Sequence, residues 1–237
     1  MTFKGTSETF IRRQTKMHNI PKTRIPAYTK LLSNALEELP IAIVGQTETK
    51  NGEGLFHDEA EIQKRILSYR LARHLKPAVI IESHPGLGVG SCVYRHATPK
   101  AAVLTIEQFS QMNTRQRGAF FDIDPFGSPW KTLENYRKQL RAAAVVQVTN
   151  GEIYSVVRNW KRAQRRPTLN YGTRTPKWVV DEYIPDVEQF LGKKCQFFYA
   201  FPTSIRLIMS NIRLPSYIWS DCVKWLSWFG NRMDTYG

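Results

Sequence analysis

A chain of 237 residues is long enough for one good-sized core, and a hydrophobic fraction of 42% excludes a disordered chain. A formal charge of +14 bears on partners rather than fold; polyanions are the usual partner, nucleic acid before an acidic membrane. No apolar run reaches the roughly 20 residues of a membrane span, and three scattered cysteines, Cys92, Cys195 and Cys222, suit a reducing cytoplasm and exclude a disulfide scaffold.

Residues 1–26 are polar and basic, lack a signal-peptide core and read as an arm. "AYTKLLSNALEEL" follows with apolar residues at 28, 31, 32, 35, 36 and 39, the spacing of a helix. "IAIV" (41–44) reads as a short strand and "GQTETKNGEG" as a loop, so that 1–57 form a basic arm with a helical extension. Asp58 opens the next helix with Glu61 as its capping-box partner, and Ile62, Ile66, Tyr69 and Leu75 form its buried stripe. "AVIIE" (78–82) is short, apolar and β-branched, as a strand covered on both faces should be. A glycine-rich turn, a helix near 90–97 and a second strand, "AAVLTIE" (101–107), come next. "AFFDID" (119–124) is the third strand, "WKTLENYRKQL" a helix and "AAVVQVT" (143–149) the fourth strand. "PKWVVDEYIPDVEQFL" reads as a helix broken at Pro185, and "CQFFYAF" with "IRLIMSNI" as an antiparallel pair. Alternating strands and helices predict a Rossmann-like α/β sheet with helices on both faces, closed by a hairpin, over a core of 58–213. The aromatic-rich "LPSYIWSDCVKWLSWFG" makes 214–237 a C-terminal helix, packed on the sheet or against another subunit, with a membrane-surface helix as the remote alternative.

In such folds ligands bind at the C-terminal ends of the strands, where the strand order reverses. Glu82 ends the first strand, and Gly86, Gly88 and Gly90 then open a helix, spaced G-x-G-x-G. Glycines let backbone approach a ligand, and a helix N-terminus favours a negative group. A dinucleotide fingerprint wants its third glycine where Ser91 stands. Glu107 ends the next strand, about twenty residues on, where an acid accepts hydrogen bonds from ribose hydroxyls. The pattern predicts an adenosine cofactor; a different ligand on the same fold is the alternative. Asp122 and Asp124 end the third strand before Pro125 and Gly127, an acidic turn unless a ligand uses them. Thr149 and Asn150 end the fourth strand, lining the same crevice or making an ordinary Asn-Gly turn. Cys92 and His96 lie four apart, too few ligands for a metal site, and no metal is expected.

The basic charge is clustered. Arg12, Arg13, Lys16, Lys22, Arg24 and Lys30 form one group. "RNWKRAQRRPTLNYGTRTPKW" forms another, in which Arg162, Arg165, Arg166 and Arg174 are candidates to grip phosphates while Trp160, Tyr171 and Trp178 stack on bases. A solvated basic loop is the bland alternative.

"DIDPFGSP" is similar to the motif of tRNA (guanine-N2) dimethyltransferases, and more loosely to the [D/N/S]-P-P-[Y/F/W] motif of amino-methyltransferases. "ESHPGLGVG" resembles the S-adenosylmethionine loop of class I methyltransferases, and its "PGLG" that of rRNA adenine dimethyltransferases. The resemblance covers residues 60–212 and is sharpest at 122–129. It implies a cytoplasmic, S-adenosylmethionine-dependent N-methyltransferase acting on an exocyclic base amine in nucleic acid, RNA before DNA, with no membrane partner. By this resemblance Asp124 is the side-chain acceptor of the amine, the Pro125 carbonyl the backbone acceptor, and Phe126 the stacking face, with Gly127 giving room. Asp122 touches the cofactor, orients the loop or faces solvent. The sequence also departs from the family. "QFSQMNTRQRG" (108–118) is too short for the usual helix, strand and helix, so one edge strand is missing and the adenine-contacting loop is reduced. Ser83 and His84 are atypical; His84 either meets the cofactor carboxylate or is structural. The family's large C-terminal domain has no counterpart. Two other functions fit the residues: a DNA amino-methyltransferase, and a non-catalytic nucleic-acid-binding protein on a degenerate methyltransferase fold.

Overall fold

The structure, a computed structural model, describes residues 25–40, 43, 58–86, 88–111, 118–125, 127–151, 179–201 and 204–222. They fall into two compact units, one holding the sheet and one built of helices.

The sheet unit carries β1 (Val79–Glu82), β2 (Ala102–Thr105), β3 (Phe120–Ile123), β4 (Val145–Asn150), β5 (Lys194–Phe201) and β6 (Ser204–Ser210). Their order is β2-β1-β3-β4-β6-β5. The first four run parallel, and β6 lies antiparallel between β4 and β5, the predicted hairpin. Strands β1, β3 and β4 are buried along their whole length, which is why they are mostly apolar, with Val, Ile and Phe at the positions that face the core. β2 is the edge: Ala102 is exposed and the other three residues are half-buried. Among the described residues, no strand pairs beyond it.

One face of the sheet is covered by α5 (Trp130–Asn135), α6 (Arg137–Ala142) and α7 (Ile184–Leu191). Phe121, Ile123, Val146, Val148, Leu207 and Met209 from the strands pack there with Trp130, Leu133, Leu140, Val187 and Leu191 from the helices. Trp130 sets its ring edge-on to Tyr183 and Phe190, at centroid separations of 6.3 and 5.8 Å. Each fully buried side chain of this kind contributes about 1.5–3 kcal/mol.

Local chemistry moves several predicted boundaries. The strand expected over 101–107 stops at Thr105, because Thr105 caps α4 (Ile106–Gln111). The Gln108 N–H donates to Thr105 Oγ1 at 3.2 Å, and the Thr105 N–H donates to Gln108 Oε1 at 2.9 Å. This reciprocal capping box outweighs β-propensity and puts Glu107 on the exposed first turn of α4 instead of a strand end. The helix expected over 130–140 is two, broken at Tyr136, whose φ of −113° and ψ of 19° leave the helical range. Val179–Tyr183 form a π-helical turn that runs into α7. Pro185 therefore lies in the first turn of α7, where its missing N–H costs nothing.

The helical unit contains α1 (Ile25–Glu38), α2 (Asp58–Leu75), α3 (Val89–Ala97) and the turn at 216–222. Leu32, Ala35, Leu39, Ile62, Ile66, Tyr69 and Val93 make its core, as the spacing of the first two helices predicts. Arg70 ties three segments together. Its guanidinium donates to Glu38 Oε1 at 2.6 and 2.8 Å, to Asp221 Oδ1 at 2.5 Å and to the Ile218 carbonyl at 3.2 Å. Ile43 is helical, not extended: its N–H donates to the Pro40 carbonyl, and Arg65 Nη1 donates to the Ile43 carbonyl at 2.8 Å. The remainder of the expected 41–44 strand lies outside the described residues. The expected C-terminal helix starts as a 3₁₀ turn, Ser216–Ile218, and 223–237 also lie outside. Among the described residues, no helix is long and apolar enough to cross a membrane.

Candidate functional site

From β1 the sheet grows through β2 on one side and through β3 and β4 on the other, so the order reverses between β1 and β3. The crevice of an open α/β sheet lies at the strand tips beside this reversal. The tips are Glu82-Ser83-His84 and Asp122-Ile123-Asp124-Pro125.

Side chains alternate between the faces of a strand. Val79, Ile81, Phe121, Ile123, Val146, Val148, Ile205, Leu207 and Met209 belong to the core described above. The intervening residues point to the other face, and there each strand changes from apolar to polar toward the crevice: Ile80 to Glu82, Phe120 to Asp122, Val145 to Gln147 and Thr149, Ile208 to Arg206. All five polar residues are buried. The register aligns them, with Glu82 beside Asp122, Asp122 beside Gln147, and Thr149 beside Arg206.

Arg206, 1% exposed, joins this layer. Its Nη2 donates to Asp122 Oδ1 at 2.7 Å, Nη1 to Thr149 Oγ1 at 2.7 Å and Nε to Gln147 Oε1 at 3.0 Å. Nη1 also lies 3.8 Å from Asp124 Oδ1, an ion-pair distance longer than a hydrogen bond. Asp122 is thus buried and ion-paired: of the three roles its sequence left open, solvent exposure is excluded. Thr149 is likewise engaged by Arg206.

Asp124 follows the end of β3 and is only half-buried. Its N–H donates to Ser83 Oγ at 3.1 Å, and the Ser83 N–H donates to the Asp122 carbonyl at 2.9 Å, which stitches the two tips together. Ser83 Oγ also meets the exposed His84 at Nδ1, 2.7 Å away. The loop is pinned again further on, where the Gly151 N–H donates to the Gly127 carbonyl at 2.9 Å. Gly127 has φ of +120°, which side-chain-bearing residues rarely adopt. A Cβ on Gly151 would sit 3.1 Å from the Gly127 nitrogen.

The structure therefore brings Glu82, Asp122 and Asp124 to neighbouring tips and places Pro125 beside them, half-buried. Phe126 lies outside the described residues, as do Arg162, Arg165, Arg166 and Arg174. Gly86, Gly88 and Gly90 belong to the helical unit. There the Gly88 N–H bonds the Pro85 carbonyl at 2.7 Å, and Gly86 and Gly88 have φ of 54° and 80°. Gly88 caps the nine-residue α3, and Gly90 lies inside its first turn. Among the described residues, no group of three or more acids, histidines and cysteines is arranged to hold a metal ion. His96 stacks on Tyr69 with ring centroids 5.7 Å apart.

Sequence reasoning missed Arg206. The signal was there: an arginine inside the otherwise apolar "SIRLIMS", and single polar residues inside "AFFDI" and "VVQVT".

No protein-family model matches the chain, and no curated protein matches it. Among solved structures it is similar to Trm1 from Pyrococcus horikoshii in complex with S-adenosyl-L-methionine, at 15% identity and a TM-score of 0.39. The match covers 62% of this chain and 53% of that one, so the chain spans about half the length of this neighbour.

Proposed function

We propose that the chain is a cytoplasmic S-adenosylmethionine-dependent N-methyltransferase acting on an exocyclic base amine in nucleic acid, RNA before DNA. One observation carries this: the D-P-F-G stretch stands at the reversal of strand order, with Asp124 anchored by its backbone to Ser83 and by its charge to Arg206.

The residues suit an adenosine cofactor. Gly86 and Gly88 both have positive φ ahead of α3, and apart from its chain neighbours nothing lies within 4 Å of where a Gly88 Cβ would be. Glu107, exposed two residues beyond β2, serves as the acceptor for the ribose hydroxyls, and Glu82, at the end of β1, lines the cofactor site. Bound S-adenosylmethionine supplies an electrophilic methyl group. An exocyclic amine is a poor nucleophile because its lone pair is delocalised into the ring. Asp124 and the Pro125 carbonyl accept its two N–H bonds and localise that lone pair, with alignment and preset acceptors as the main catalytic terms. Phe126 stacks on the extruded base, and Arg162, Arg165, Arg166 and Arg174 hold phosphates.

The test is transfer of a labelled methyl group from S-adenosylmethionine to total RNA and to genomic DNA, side by side. Counts in RNA support the proposal, and counts confined to DNA move the substrate to a DNA amino group. The short 108–118 segment, with no room for the usual third strand and adenine-contacting loop, favours a second reading, nucleic-acid binding without catalysis. Tight RNA binding with no counts in either polymer would select it.

A further inference from the structure

Within that proposed reaction, we infer that Arg206 is the positioning residue that fixes Asp124 for the amine. A buried arginine is a poor way to stabilise a sheet, since an apolar side chain of similar volume serves as well or better. What Arg206 adds is geometry. Its planar fork meets acceptors on two strands at once, Asp122 on β3 and Gln147 with Thr149 on β4, as a single ammonium would not. Nη1, held by Thr149, then stands 3.8 Å from Asp124 Oδ1, within ion-pair distance of the carboxylate. Ser83 fixes the Asp124 backbone, and Arg206 biases the direction of its side chain. Arg206 itself touches no reacting atom in this account.

The experiment compares the full-length chain with Arg206→Lys, Arg206→Met and the double variant Asp122→Asn/Arg206→Met. The double variant removes both buried charges and so separates folding from positioning. Three quantities are measured: kcat, cofactor affinity by calorimetry, and the ¹³C carboxyl resonance of Asp124. Misplacement on the order of 1 Å costs about 10²-fold in rate. Arg206→Met is therefore expected to lose about that factor in kcat, with cofactor affinity retained and the Asp124 resonance broadened or doubled. The double variant recovers thermal stability but not kcat, and Arg206→Lys recovers kcat in part. Recovery of wild-type kcat in the double variant would reduce Arg206 to a structural brace. If the wild-type chain transfers no methyl group at all, the proposed function fails, and the Asp124 resonance alone decides this inference. A single sharp line in both wild type and Arg206→Met would overturn it.

Discussion

At the residue scale, the contrast is between Asp124 and Arg206. Asp124, whose role in the reaction is a proposal, was visible in the sequence as a candidate because its motif is contiguous. Arg206 was not, because its partners Asp122, Thr149 and Gln147 lie 84, 57 and 59 residues away, and only the sheet register brings them together. Glu107 was legible as an acid beyond the glycines, but not as a helical one. If it accepts ribose hydroxyls from the first turn of α4, Glu107→Ala weakens cofactor binding about tenfold, the scale of one charge-assisted hydrogen bond. Calorimetry with cofactor and a filter assay with RNA would check this, and equal loss of both ligands would contradict it. Gly127 makes a backbone prediction. At its φ of +120° an alanine costs about 1–3 kcal/mol, read as a lower midpoint in thermal denaturation. An unchanged midpoint would mean that the loop does not hold this conformation in solution.

At the element scale, strands were easier to place than their ends. The apolar runs of β1, β3 and β4 are bounded by burial, which the sequence displays directly. Helix starts are bounded by caps, and the Thr105–Gln108 box was hidden inside an apolar segment. The break at Tyr136 has no glycine or proline to announce it. In the helical unit, Arg70 makes a pH prediction. Burial alone would raise the Asp221 carboxyl, but hydrogen bonds from Arg70 and Asn34 outweigh it and hold the group below the usual value of 3.8. A carboxyl depressed on folding stabilises the protein above its unfolded value, and that stability is lost as pH falls through the folded one. Asp221→Asn should therefore cost on the order of 3 kcal/mol at neutral pH. The difference should shrink below pH 3.8, as the wild type loses the same contribution. Denaturant melts across that range measure it, and a pH-independent difference would contradict it.

At the scale of the whole molecule, the alternation of strands and helices was enough to predict a parallel sheet with a terminal hairpin. That order follows from connection rules that need no side-chain detail. The grouping of α2 and α3 with α1 and the 216–222 turn did not follow from sequence order, because packing partners are chosen by apolar faces far apart in the chain. The same sheet order locates the proposed site, and the polar layer joined by Arg206 runs along its strands. The most direct test is therefore a paired measurement on the full-length chain and Asp124→Ala: labelled methyl transfer to RNA, and heat of binding for S-adenosylmethionine. Loss of a preset acceptor costs about 10²–10³-fold in rate, so the variant should lose at least about that factor while binding the cofactor as the wild type does. A variant that turns over like the wild type, or a wild-type chain that gives neither heat nor counts, would contradict the account.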